Sequence, residues 1–167
     1  AHVPYGDRPA AEVTHLVETI VEHLVDSGCS AVVMACNTSN ALALERVRSW
    51  CPVPVVGIID PAAAAAVERT RNGKIGLIAN PLTARSGAYE RSCRTALGRL
   101  NFGVTVYPMG CPKLVPLIEA GLVQSPETKE QLWEYLAPLQ MEQVDTLILG
   151  CTHYPFLRPL VQELLGP

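Results

Sequence analysis

Two short stretches carry the residues best suited to chemistry. Val32 to Asn40 reads VVMACNTSN, and Leu147 to Pro155 reads LILGCTHYP. Each is an apolar, β-type run whose exit residue is a thiol, Cys36 or Cys151, followed at once by hydroxyl, amide or imidazole side chains. A thiol just past a strand and ahead of a helix N-terminus lies at the positive end of the helix dipole, which favours thiolate and lowers its pKa from about 8.5. Buried free cysteine is common and usually inert, so Cys29, Cys51 and Cys93 read as packing. Asn37-Thr38 and Thr152-His153 set Cys36 and Cys151 apart, because a plain core turn has no need of such donors and acceptors. Two such exits suggest one shared site.

Composition narrows the function classes. A chain of 167 residues can bury a sizeable core, as one domain or as two small lobes. The net charge of −3 and the absence of any basic cluster argue against a nucleic-acid surface, which needs concentrated positive charge to displace phosphate counterions. No apolar run is long enough to cross a bilayer, and the first residues carry no export signal, so a soluble, cytoplasmic protein is expected. The six cysteines contain no Cys-x-x-Cys pair, the usage of free thiols in a reducing compartment. His15 and His23 lie eight apart on one helix face without a partner at zinc spacing, so no metal site is expected. His2 reads as a surface residue, Cys111 as packing, and Trp50 and Trp133 as core or lobe-interface anchors.

The elements that must position the two thiols follow from periodicity. Ala1 to Pro9 is loop-like. From Ala10 the apolar positions Val13, Leu16, Val17, Ile20, Val21, Leu24 and Val25 recur at three and four, predicting an amphipathic helix closed near Ser27 and Gly28. Strand 31–35 precedes Cys36; Asn37, Thr38 and Ser39 suit an N-cap, and 41–50 a helix. A strand at 55–59 leads to Asp60 and Pro61 as cap and first residue of another helix. Beyond the turn Arg71-Asn72-Gly73 the spacing predicts strand 74–79, helix 82–99, strand 103–107, a short helix 112–120 ended by Gly121, a helix from Ser125-Pro126-Glu127 to about 140, strand 144–149, and a last helix opened by Pro155. This alternation implies parallel sheets covered by helices, with binding loops at the carboxyl ends of the strands. The expected fold is therefore α/β. A break near Asp60 divides it into a first lobe over 1–60 and a second over 61–167.

Four motifs occur together: PYGDR at 4–8, ACNTSNA at 35–41, CPKLVPLIEAG at 111–121 and GCTHYPFL at 150–157. In this order they resemble bacterial glutamate racemases, within the wider aspartate/glutamate racemase superfamily. His153 favours the glutamate branch, since the aspartate branch usually carries an acid at that position. The resemblance implies two pseudo-symmetric parallel-sheet lobes with the active site in the cleft between them, and interconversion of L- and D-glutamate without metal or organic cofactor. Inverting a Cα centre requires removing a weakly acidic proton from one face and returning one to the other, which two opposed thiols can do. By resemblance Cys36 is the base for D-glutamate and Cys151 the base for L-glutamate. His153 assists Cys151, while Asn37, Thr38, Thr152 and His153 hold the substrate. Tyr5 and Gly6 correspond to the family's substrate loop. Glu119 matches a family acid near the second thiol and reads equally as a solvated helix-face carboxylate. The product would serve peptidoglycan synthesis, and homodimers are frequent in the family.

The chain also departs from the family pattern. No Asp-Ser-Gly strand precedes Ala1, the family continues beyond GCTHYPFL, and Ala79-Asn80-Pro81 stands where Gly-Thr or Ala-Thr is common. An internal piece of such an enzyme, weakly active or inactive by itself, is the expectation. Two alternatives stand beside it: another racemase of the superfamily, acting on aspartate or hydantoins, and a non-catalytic glutamate-binding module.

Overall fold

In the computed structural model, residues 8–98 and 103–166 are described. Tyr5, Gly6 and His2 lie outside them. Helix α1, Ala10–Asp26, buries Val13, Val17 and Val21, one residue per turn, and leaves His15 and His23 on its exposed side. It ends at Gly28, whose φ of +85° suits a residue without Cβ. Two short parallel strands follow, β1 (Val32–Met34) and β2 (Val55–Gly57), joined by helix α2 (Asn37–Arg48). Val32, Met34 and Val55 face α1 and α2 in one apolar cluster, whereas Val33 and Val56 point the other way and are 64% and 51% exposed. The alternation of these strands thus gives one covered and one open face.

Helix α3 (Ile59–Arg69) leads to a second sheet, in which β3 (Lys74–Ala79) lies between β4 (Thr105–Gly110) and β5 (Thr146–Gly150). Both pairings are parallel, with Ala79 opposite Gly110 on one side and Gly150 on the other. Residues 75–79 are all buried because helices cover both faces. Ile59, Ala63, Ala66 and Val67 of α3 pack on one face with Tyr89 and Cys93 of α5 (Ala88–Leu97). Helices α6 (Leu114–Glu119), α7 (Pro126–Met141) and α8 (Arg158–Leu165) cover the other face.

Several boundaries differ from the sequence expectation, each for a local reason. Helix α2 begins at Asn37 rather than Ala41, so Asn37, Thr38 and Ser39 form its first turn and Cys36 is its N-cap. Helix α3 begins at Ile59, with Asp60 and Pro61 inside its first turn. Its opening amides are instead capped from a distance: Asn40 Oδ1 accepts from the N–H of Ile58 at 2.7 Å and of Ile59 at 3.0 Å. The helix expected over 82–99 is two, α4 (Pro81–Arg85) and α5, separated at Gly87 with φ +68°. The strand expected at 103–107 runs from Thr105 to Gly110. After β5 the chain makes a 3-10 turn at Tyr154–Leu157 before α8 starts at Arg158. Trp50 and Trp133 are 38% and 39% exposed; each lies on the outer side of a helix end or helix face, so neither is a core anchor.

At the amino end of the second sheet, Asp145 ties its strands together. One carboxylate oxygen accepts from Thr70 Oγ1 at 2.6 Å and from Thr146 Oγ1 at 3.0 Å; the other accepts from the backbone N–H of Arg71 and Asn72 at 2.7 and 2.9 Å. Burial pushes this carboxyl up, but the hydrogen bonds together outweigh it and hold its pKa below the ordinary value. No helix among the described residues is long and apolar enough to cross a membrane.

Candidate active site

The thiols stand at the carboxyl ends of the two sheets, where parallel strands release their loops. Cys36 is half-buried and caps α2 with extended backbone, φ −91° and ψ 125°. The residues that follow it turn inward. Asn37 and Thr38 are buried, and each is bonded to a side chain from the second sheet's helices. Thr38 Oγ1 lies 2.9 Å from Thr83 Oγ1 of α4, and Tyr89 Oη donates to Asn37 Oδ1 at 2.6 Å. These two contacts join the first turn of α2 to helices α4 and α5, which pack with the second sheet. Thr83 is itself fully buried, so its hydroxyl belongs to this junction.

Cys151 leaves β5 directly after Gly150. A side chain at residue 150 would meet Leu77 Cδ1 at 2.7 Å and Ala79 Cβ at 3.0 Å, so glycine is required for the strand to approach β3 and deliver the thiol. The half-buried Cys151 Sγ is 3.7 Å from His153 Nδ1, and His153 Nε2 is 2.5 Å from Glu119 Oε1 at the end of α6. Carboxylate, imidazole and thiol therefore stand in series. With Glu119 accepting from Nε2–H, the unprotonated Nδ1 faces the thiol and can take or return its proton. Glu119 is thus placed beside His153, two residues from the second thiol, and its carboxylate is also largely exposed, as on a solvated helix end. Thr152 is exposed beside this series.

The pKa expectation needs correction for Cys151. Burial is the largest influence and pushes this thiol up; the backbone N–H groups of His153 and Tyr154 oppose it, and Cys36 adds to the rise. The helix-dipole argument fails here because a 3-10 turn, not an α-helix, follows the cysteine, leaving individual amides to act. Cys111, at the exit of β4, is buried, with Sγ 3.5 Å from Met109 O and its thiol pushed up to about 12 by burial. Tyr154 Oη donates to Cys111 O at 3.0 Å. It is packing, as its sequence context indicates.

Asn80 leaves β3, the strand beside β5, and caps α4, its Oδ1 accepting from Leu82 N–H at 2.9 Å. The departure from the family pattern at 79–81 is thus used to start a helix, with Pro81 at its first position. A groove of about 280 Å3 between α2, α3 and α5, lined by Asn40, Asp60, Arg91 and Ser92 among others, contains neither thiol. Sequence reasoning passed over Thr83 and Tyr89. A single threonine in PLTARS and a single tyrosine in GAYER carry no local signal; their roles exist only through partners 45 and 52 residues away.

Comparison with known proteins gives a consistent result. The sequence profile described as Asp/Glu/Hydantoin racemase matches residues 3–167. A glutamate racemase of Trichodesmium erythraeum is 47% identical over 165 residues, covering 99% of this chain and 59% of that protein. The crystal structure of a glutamate racemase isoform of Bacillus anthracis superposes with a TM-score of 0.90 at 38% identity, over 99% of this chain and 60% of that one. The glutamate racemase of Francisella tularensis, solved in complex with D-glutamate, superposes with a TM-score of 0.87 at 29% identity, over 98% and 60%. The chain spans about three fifths of the length of these relatives.

Proposed function

The chain belongs to the Asp/Glu/Hydantoin racemase family, and from that premise we propose that it carries both thiols of a cofactor-independent glutamate racemase. The observation that carries the reading is the series Glu119, His153, Cys151 at one strand exit, with Cys36 at the other followed by the buried Asn37 and Thr38. Relatives that match the whole chain are named glutamate racemase, and one was solved with D-glutamate.

In this mechanism the Cys36 thiolate removes the Cα proton of D-glutamate from one face. The electron pair left on carbon delocalises into the adjacent carboxylate, and the Cys151 thiol gives its proton to the opposite face. The turnover ends with Cys36 as thiol, Cys151 as thiolate and L-glutamate bound; the reverse direction exchanges the roles. His153 Nδ1 supplies or accepts the Cys151 proton, and Glu119 holds the imidazole in the tautomer that can do so. A thiol raised by burial benefits most from such a partner, because its proton is otherwise held too tightly at neutral pH. Asn37, Thr38 and Thr152 bind the amino acid, together with Tyr5 and Gly6. The lobe boundary lies near Asp60, where the chain leaves β2 for a helix that packs with the second sheet. In the cell the product would be D-glutamate for peptidoglycan, made in the cytoplasm by a protein that can dimerise.

The test is Cα deuterium incorporation into L- and D-glutamate in D2O, followed by NMR, for the wild-type protein and for Cys36→Ala and Cys151→Ala. Exchange of both enantiomers that each substitution impairs is the expected result. Exchange that survives loss of either thiol, or exchange of aspartate in preference to glutamate, would overturn the reading.

A further inference from the structure

Tyr89 is a buried residue that the mechanism above does not use. It is 1% exposed, sits near the start of α5 on the second sheet, and yet its hydroxyl donates to Asn37 Oδ1 at 2.6 Å, across 52 residues of sequence. Asn37 directly follows Cys36. A carboxamide has two different ends, an oxygen that only accepts and a nitrogen that only donates. Tyr89 occupies the accepting end, and burial keeps its phenol protonated by pushing its pKa above the ordinary value. No hydrogen bond of Nδ2 occurs among the described residues, and Nδ2 is not sealed from solvent, so this end of the amide is open to a ligand. Rotating the amide by half a turn would set Nδ2–H against a phenol whose own proton then lacks this acceptor, an arrangement that a buried hydroxyl disfavours.

We propose that Tyr89 is a positioning residue that fixes Asn37 with its donor end toward the substrate, so that the group recognised beside Cys36 is an acceptor: the carboxylate on the reacting carbon. This rests on the glutamate reading of the site and adds a polarity to it. A carboxylate oxygen accepts both the Nδ2–H bond and the neighbouring amides of the α2 first turn. A carboxamide at the same carbon would place N–H against N–H in one of its orientations and lose the anionic charge in both.

The experiment compares binding of glutamate with binding of glutamate 1-amide, by calorimetry, in the wild-type protein, Tyr89→Phe, Asn37→Ala and the double variant. Tyr89→Phe keeps the ring that fills the core and removes only the hydroxyl. It is expected to weaken glutamate roughly five- to tenfold and to narrow the preference over the 1-amide by the same factor, since the freed amide can turn its oxygen to the ligand. In the Asn37→Ala background Tyr89→Phe is expected to change neither quantity, because it acts through Asn37. Equal weakening of both ligands, or the full effect persisting without Asn37, would show a role in packing alone and overturn the proposal. If wild-type protein neither binds glutamate nor exchanges its Cα proton, the underlying glutamate reading fails instead. Exchange in the wild type with unaltered preference in Tyr89→Phe removes only the role of Tyr89.

Discussion

The two thiol exits begin alike in sequence and are supported by opposite means. After Cys36 comes a twelve-residue α-helix whose opening side chains are buried and spent on bonds to Thr83 and Tyr89. After Cys151 come exposed Thr152 and half-buried His153, the latter held by an exposed carboxylate, and only then a 3-10 turn, which buries Tyr154 and Leu157. The first exit is therefore organised from within, by contacts that link the two sheets and change little with pH or salt. The second is organised by titratable groups at the surface, where each proton can be exchanged with water. Polar residues after a strand thus stand in two physical settings: bonded inside against a neighbouring helix, or lined up with an exposed carboxylate near solvent.

The comparison can be broken most directly by removing each sulfur. Cys36→Ala and Cys151→Ala are each expected to lower Cα exchange of glutamate by about 10^2–10^4-fold, measured by NMR in D2O. A markedly smaller loss at one of them would leave a single-base site and end the parallel between the exits. His153→Asn comes next. It is expected to reduce turnover roughly 10^2-fold and to enlarge the primary isotope effect measured from 2-deutero-L-glutamate, while the effect from the D enantiomer does not grow. Because the equilibrium constant of a racemisation is one, such asymmetry appears in isotope effects and not in kcat/KM. An equal increase for both enantiomers would detach His153 from Cys151.

Glu119→Gln sharpens the same side. It preserves shape and removes the charge, so turnover is expected to fall about five- to tenfold, with no further loss when His153→Asn is already present. Additive losses would show that Glu119 acts elsewhere. The smallest effect is expected at the other end of the same sheet. Asp145→Ala removes four accepted hydrogen bonds, but the carboxylate is exposed, so about 1 kcal/mol is expected, read as a fall in Tm of roughly 2–4 °C without change in Cα exchange. Its folded-state pKa is depressed. The stability it contributes is therefore present above the unfolded value of about 3.9 and lost as pH falls through the folded one, so wild type and variant should converge in acid.

Periodicity made most of the architecture legible. The valines of α1, the apolar run Ile75 to Ala79 of β3 and the Ser125-Pro126 start of α7 each state their element in neighbouring residues, and the strand–helix alternation implies the parallel sheets. The two thiols were legible because cysteine followed by small polar side chains is an unusual strand exit. Illegible features depend on distant partners. Asp60 looked like the cap of α3, but Asn40, eighteen residues before Ile58, does the capping. The helix expected over 82–99 passes through Gly87, whose left-handed φ, with the hydrogen bond from Ala88 N–H to Ser86 Oγ, ends one helix and begins another. Trp50 and Trp133 have the composition of core anchors and the position of surface residues. Burial depends on which side of a helix meets a neighbour, and a lone aromatic does not encode that.

The order of the strands in the second sheet also sets a schedule. β3 lies between its partners, and its pairing with β5 joins residue 75 to residue 146, whereas its pairing with β4 closes a much shorter loop. Closing the longer loop requires synthesis to have passed residue 150. During translation, α3, β3, α5 and β4 can assemble while the strand that carries Cys151 is still within the ribosome, leaving one side of β3 as an open edge. Until β5 docks there, the nascent chain presents an apolar strand edge that a chaperone or a second nascent chain could occupy.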